Sequence, residues 1–382
     1  MRVLVLHNRY RQPGGEDRVV ASEVEMLRFY GVDVEVFEAD NHANGLRLLA
    51  DSAWSGEMYE KVRAACHRFR PDVAHLHNFW MALTPSAIDA CRSAGVPLVQ
   101  TLHNFRLLCV NALFLRDGQM CTSCLGKAPW RGIVHRCYNH SAVASAAVAN
   151  MIESNRRRDT WSNVDAFITP SWHARSLFLA AGFDAKRISV KPNFIQDPGP
   201  ADAPPSSSQT IVYAGRLSPE KGLRTLASAW KNVSSGELLV IGDGEERETL
   251  AVPRVTFAGT RDNTAVIHAI QSARALVLPS LCFETFGNAI AEAYACGRPV
   301  IVSDIGALSE IVHQGSTGLK VEPGNAAQLS ASLTEILSDD ALADRMGGNA
   351  RSEYLACYTP GRNFQMLMEA YDRVSPGVAL SI

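Results

Sequence analysis

The sequence predicts an α/β protein built from two doubly wound, parallel-sheet domains. Three observations predict it. The chain has 382 residues, too many for one ordinary hydrophobic core, with a globular composition of 47% hydrophobic and 20% charged residues. Short, nearly continuous apolar runs alternate with helical stretches, the pattern of strands covered on both faces by helices. A Pro-, Ser-, Gly- and Asp-rich break, "KPNFIQDPGPADAPPSSSQ" at 191–209, divides the alternation in two.

In chain order, "VLVL" (3–6), "VDVEVF" (32–37), "VAHL" (73–76), "LVQTL" (98–102), "DAFIT" (165–169) and "ISV" (188–190) read as the strands of the first domain. The stretch 16–31 reads as a helix closed by a C-terminal glycine. After the break, "TIVYA" (210–214), "ELLVI" (237–241), "RVTFAG" (254–259), "ARALVLP" (273–279) and "PVIVSD" (299–304) supply the second sheet. The tail has helical spacing at Phe364, Leu367, Met368 and Tyr371. The expected division is 1–195 for the first domain and 196–358 for the second, with a C-terminal helix at about 359–382 crossing back to the first. Ligands of such sheets bind beyond the carboxyl ends of the strands, so the residues that follow each strand are the candidates for chemistry.

No apolar run approaches the roughly 20 residues that span a bilayer. The opening "MRVLVLHNRY" reads as a buried strand, not a signal peptide. A cytoplasmic protein is expected, with its nine cysteines reduced or metal-bound. Residues 1–192 hold 23 Lys and Arg against 18 Asp and Glu, a net +5, and the remainder nets −7. The asymmetry points to different partners for the two halves, the basic half suiting an anionic surface.

The stretch "PSLCFETFGNAIAEAYACGRPVIVSD" (279–304) sets Glu284 and Glu292 eight positions apart around an expected helix start. On one helix eight residues would separate the two backbones by about 12 Å, which suits opposite ends of an elongated ligand better than a glycosidase-type pair. Between them the amides of Phe286, Gly287 and Asn288, with Thr285 before them, form a helix N-terminus, a ready anion site. The spacing alone arises by chance on solvated helices; its setting gives it weight. Directly after the first strand of the second domain comes "YAGRLSPEKG" (213–222), where Gly215 opens a turn carrying Arg216 and Lys221, two cations suited to a phosphate.

Here the sequence resembles the retaining glycosyltransferases of the GT-B fold, family four, also called group one. The resemblance rests on the E-x7-E element, the following "AYACGRPVIVSD" and the G-R-x4-K-G turn, and extends over nearly the whole chain. It implies two facing Rossmann-like domains with a deep interdomain cleft. It further implies sugar transfer from a nucleoside-diphosphate donor to a glycan or lipid-linked acceptor, in bacterial polysaccharide or glycoconjugate assembly. By the same resemblance Arg216 and Lys221 hold the donor diphosphate, Glu284 the sugar hydroxyls and Glu292 the ribose. The loops bearing Gly242 and Arg261 approach the nucleobase. Gly14 and Gly15, after the first strand, let a phosphate approach a helix start. His103 ends the fourth strand on the side of the transferred sugar, with Asn104 beside it and His77 at the end of the third strand on the acceptor side. The catalytic set is then His103, Arg216, Lys221 and Glu284.

The chain contains no D-x-D element, which the other main glycosyltransferase fold uses to hold a divalent metal. Two cations and a helix terminus can neutralise a leaving diphosphate, so no catalytic cofactor is expected. A structural zinc is a separate expectation: Cys109, Cys121, Cys124 and Cys137 lie on one long insertion, with a C-x2-C at its centre. Trp130, Arg131, His135 and Arg136 in that insertion, and "NRRRD" at 155–159, suit an anionic or amphipathic acceptor, and peripheral contact with the inner face of the plasma membrane. Nucleic acid is not an expected partner. Two alternatives share the fold: a nucleotide-sugar 2-epimerase, and a catalytically inactive partner subunit that binds sugars.

Overall fold

The computed structural model describes all residues except 11–13, 42–48, 50 and 378–382. Arg11 to Pro13 of the loop after the first strand, and the end of the expected C-terminal helix, therefore lie outside the described residues. The chain divides into two compact units. One comprises residues 1–114, 122–192 and 363–382, and the other residues 115–121 and 193–362.

The first unit holds a six-stranded sheet of β1 (Arg2–Arg9), β2 (Asp33–Asp40), β3 (Val73–Leu76), β4 (Leu98–Thr101), β7 (Ala166–Thr169) and β8 (Ile188–Val190), in the order β2-β1-β3-β4-β7-β8. Every pairing in it is parallel. Three of these strands, β3, β4 and β7, are fully buried, which is why their sequences read as unbroken apolar runs. The strand order reverses between β1 and β3, the switch point where such a sheet opens a crevice beyond its strand ends. His7 and Asn8 end β1 there, and His77 and Asn78 follow β3. The helix Gly15–Phe29 follows β1 and buries Val20, Glu23, Val24 and Leu27. The C-terminal helix Pro360–Val374 buries Asn363, Phe364, Leu367, Met368 and Tyr371, the stripe its spacing predicts. A short hairpin, β5 (Leu115–Arg116) with β6 (Gln119–Met120), has no counterpart in the sequence reading.

The second unit's sheet comprises β9 (Thr210–Ala214), β10 (Glu237–Ile241), β11 (Val255–Gly259), β12 (Ala275–Leu278), β13 (Val300–Ser303) and β14 (Gly318–Val321). Its order is β11-β10-β9-β12-β13-β14, again all parallel. Its switch point lies between β9 and β12, so the loops after those two strands are the ones brought together. Both are Rossmann-like domains. No described helix is long and apolar enough to cross a membrane.

Candidate functional site

In the second unit, the loop after β9 crosses directly under the loop after β12. Gly222 makes the crossing feasible: it sits at φ +73°, and a Cβ there would lie 1.9 Å from the carbonyl oxygen of Pro279. The Leu281 amide donates to the Glu220 carbonyl at 2.8 Å, locking the two loops. As a result Lys221 Nζ lies 2.6 Å from Glu284 Oε1, and Ser280 Oγ donates to the same oxygen at 2.9 Å. Burial pushes the Glu284 carboxyl up, but Lys221 and Ser280 outweigh it and hold the group below the ordinary carboxylate range. Lys221 is the mirror case: burial favours the neutral amine, and Glu284 reverses that, raising its pKa. The two residues assigned to different parts of the ligand thus form one ion pair.

Arg216 stands apart. Its side chain is 75% exposed and meets Glu220 only at 3.7 Å, while its carbonyl accepts from the Tyr213 hydroxyl at 2.7 Å. The backbone of the turn is therefore fixed while the guanidinium projects outward. Gly215 donates to the Ile241 carbonyl at 3.0 Å, and Gly242 is at φ +138° with a would-be Cβ 1.9 Å from the Gly215 oxygen. The loops after β9 and β10 are zipped together by this approach, which no side chain could share. Arg261 is exposed just before the helix Asn263–Gln271.

The helix Asn288–Ala295 starts on Gly287, with buried Phe286 anchoring its entry and Thr285 half-buried before it. Asn288 accepts from Asn193 through its side chain at 2.8 Å. Glu292 is buried one turn into this helix, whereas Glu284 lies in the loop before it. The helix thus begins after the first glutamate, and only the second belongs to it.

In the first unit, His103 follows β4, and its Nε2 lies 2.8 Å from Nδ1 of His77, the two rings being stacked. Burial, with His75 alongside, pulls His77 down to about 3. Burial and the neighbouring His77 likewise hold His103 well below its ordinary value, so both rings are neutral. A cavity of about 20 Å³ opens beside them, lined in part by Trp80, Asn104 and Arg106. Asn104 donates to Glu16 Oε2 at 3.4 Å, and Tyr10 donates to the same oxygen at 2.9 Å. Burial lifts Glu16 to about 7 against those two hydrogen bonds. The Gly14 amide is occupied by Asp17 Oδ2 at 2.8 Å. A phosphate at Gly14 and Gly15 would thus share the first helical turn with two carboxylates, an arrangement opposed by their charge.

The sequence reading overlooked several residues. Arg106 lies 5.2 Å from each of the Trp80 and Tyr138 rings, and its Nε and Nη1 are buried without a hydrogen-bond partner. Glu23, His75 and His77 form the one group of three metal-capable side chains among the described residues. The Lys191 ammonium, 2.9 Å from Glu23 Oε2, already compensates that carboxylate, so the group is an ion pair with two imidazoles and not a cation site. A glutamate among Val20, Val24 and Leu27 on the apolar stripe of a helix was the available signal. Of the four cysteines, Cys109 is buried and its thiol donates to Asn111 Oδ1 at 3.0 Å, while Cys121, Cys124 and Cys137 are half-buried.

Residues 1–193 match the family model described as Glycosyl transferase 4-like domain, and residues 208–339 match that of Glycosyl transferases group 1. The chain is 29% identical over 301 residues to the glycogen synthase of Mycobacterium tuberculosis, covering 74% of this chain and 64% of that one. It is 28% identical over 400 residues to the phosphatidyl-myo-inositol mannosyltransferase of Mycolicibacterium smegmatis, covering 95% and 91%. Among solved structures, the sucrose-phosphate synthase of Thermosynechococcus elongatus superposes with a TM-score of 0.73 at 19% identity, covering 96% of this chain and 98% of that one. Anabaena HepE in complex with UDP-glucose gives 0.67 at 20% identity, covering 97% and 98%.

Proposed function

Because this chain belongs to the glycosyl transferase 4-like family, we propose that it transfers a sugar, with retention of anomeric configuration, from a nucleoside-diphosphate donor to a glycan or lipid-linked acceptor. The observation that carries the reading is the convergence, at the switch point of the second sheet, of Lys221, Glu284 and the helix start at Gly287. A cation, a carboxylate and a row of amides in one place suit a diphosphate joined to a hydroxylated sugar. The relatives named above as synthases and mannosyltransferase, and HepE with bound UDP-glucose, support a nucleotide-sugar donor.

In this reading Arg216 and Lys221 stabilise the charge that develops on the departing diphosphate, together with the amides of Phe286 to Asn288. On donor entry Lys221 exchanges part of its contact with Glu284 for the phosphate, and Glu284 turns to the sugar hydroxyls. Glu292 holds the ribose. The acceptor oxygen forms its bond to the anomeric carbon on the face from which the diphosphate leaves. The C–O bond to phosphate breaks, and the leaving phosphate oxygen takes the acceptor's proton. No separate base is required. The loops after β10 and β11, with Gly242 and Arg261, take the base, and His103 contacts the transferred sugar with Asn104 and His77 behind it.

Trp130, Val134 and Val143 are exposed close in sequence to Arg131 and Arg136, which supports an acceptor presented at an anionic lipid surface. A thermal-shift panel of UDP, GDP, ADP and dTDP with their common sugars tests the donor. One nucleotide should raise the melting temperature well above the others, and no response to any of them would refute a nucleotide-sugar enzyme.

A further inference from the structure

Beneath His103 lies a chain of buried polar groups that the reading above does not use. Glu23, from the helix Gly15–Phe29, is 1% exposed, and Lys191, just after β8, is 3% exposed. Lys191 Nζ donates to Glu23 Oε2 and to Asn363 Oδ1, both at 2.9 Å. The other carboxylate oxygen, Oε1, lies 3.1 Å from His75 Nδ1 and 3.3 Å from His77 Nε2. His77 Nδ1 completes the chain at 2.8 Å from His103 Nε2. His75 is pinned from both sides, by the Tyr371 hydroxyl at Nδ1 and by Thr101 Oγ1 at Nε2, each at 2.8 Å. Two of the contributing residues, Asn363 and Tyr371, come from the C-terminal helix.

The proton positions follow from donor and acceptor counting. Burial disfavours a charged Glu23, but Lys191 and the two histidines outweigh it, so the carboxylate is ionised and accepts only. A neutral His77 carries one N–H. Placed on Nε2 it meets the carboxylate; placed on Nδ1 it leaves a bare nitrogen lone pair against a buried anion, a costly arrangement. Glu23 Oε1 and His77 Nε2 are both buried without a hydrogen-bond partner and lie 3.3 Å apart, so a proton on Nε2 gives each atom the complement it lacks. With the proton on Nε2, Nδ1 of His77 is an acceptor, and the donor it faces is His103 Nε2.

We propose that Glu23 is a positioning residue for His103: acting through His77, its carboxylate keeps the His103 proton on Nε2 and leaves Nδ1 as a hydrogen-bond acceptor. The inference rests on the reading that His103 contacts the transferred sugar, whose hydroxyls can donate to that nitrogen. It also makes the C-terminal helix part of the apparatus, because Asn363 orients the ammonium that fixes the carboxylate.

The test is long-range ¹H–¹⁵N correlation NMR on the histidine-labelled full chain, with His77 and His103 assigned by loss of signal in His77→Asn and His103→Asn. Both rings should be the Nε2–H tautomer at pH 7.5, and a His103 proton on Nδ1 overturns the proposal. Glu23→Gln alone strands the Lys191 charge and can unfold the chain, so the second arm uses Glu23→Gln with Lys191→Met, which removes both charges. Its amide can donate or accept and no longer dictates the His77 proton. His103 should become a mixture of tautomers, and turnover of UDP-glucose should fall about 10-fold with KM changed less than about twofold. A folded double variant with the wild-type His103 tautomer, or a shifted tautomer with full turnover, overturns it. If the wild-type chain turns over none of UDP-glucose, GDP-mannose and ADP-glucose, the transferase reading fails, and the tautomer measurements still decide the role of Glu23.

Discussion

Lys221 and Arg216 carry the same proposed duty in different settings, and the difference makes a test. Arg216 is exposed and scarcely paired, so Arg216→Ala should leave the melting temperature unchanged while cutting turnover about 100-fold. Lys221→Ala should cut turnover as far and also lower the melting temperature, because Glu284 loses the cation that offsets its burial. Normal turnover at saturating donor in either variant would remove that residue from the diphosphate clamp. The two glutamates separate by calorimetry with the bare nucleoside diphosphate. Glu292→Ala should weaken its binding, whereas Glu284→Ala, which frees Lys221, should leave it unchanged or tighter and impair transfer. Equal losses would contradict the placement of ribose and sugar. Glu16 gives a prediction in pH. Burial raises it from 4.5 to about 7, so the folded state binds the extra proton and stability falls as pH rises through that window. Glu16→Gln should therefore stabilise the chain at pH 8 by up to about 3 kcal/mol and by little at pH 4.5, read from denaturant melts. An equal effect at both pH values would mean that Glu16 titrates normally.

At the level of elements, Gly222 and Gly315 form a matched pair. Both have positive φ, +73° and +72°, but a Cβ at Gly222 collides with Pro279, and one at Gly315 meets nothing within 4 Å. Gly315→Ala should cost about 1 kcal/mol from the backbone alone. Gly222→Ala should cost well over about 2 kcal/mol and weaken donor binding, since it parts the loops after β9 and β12. Similar costs would show that the loop crossing is not tightly held. The insertion at 109–138 carries the zinc expectation. About one zinc per chain by elemental analysis, with faster proteolysis of the insertion on chelation, is the expected result. Cys109 would have to turn from Asn111 to take part. A metal-free chain with a protease-resistant insertion would leave the four cysteines as packing residues. The site's skeleton was legible where chemistry follows a strand directly, as with Arg216 and Lys221 after β9 or His103 after β4. The Lys221–Glu284 pair was not legible, because 63 residues separate partners that only the sheet order brings together. The ion pair of Glu23 with Lys191 spans 168 residues and was hidden for the same reason.

On the scale of the whole molecule, burial made the fold readable: strands enclosed on both faces have no polar alternation to confuse with a helix or a loop. Two elements escaped because neither is a continuous apolar run. The edge strand β14, "GLKV", carries Lys320 toward Asp304 at 3.5 Å and is only four residues long. The hairpin β5–β6 has two residues per strand, too few for any periodicity. The sequence also showed the C-terminal helix as an amphipathic stripe, but not that its polar members Asn363 and Tyr371 enter the network under His103.

The proposed chemistry is sugar transfer with retention, by a site that stabilises the departing diphosphate without a base on the opposite face. The most direct measurement is the anomeric configuration of the first-formed product, read by proton NMR during turnover of the donor that the thermal-shift panel selects. The product should keep the configuration of the donor, α from an α-linked nucleotide sugar. A β product would contradict it.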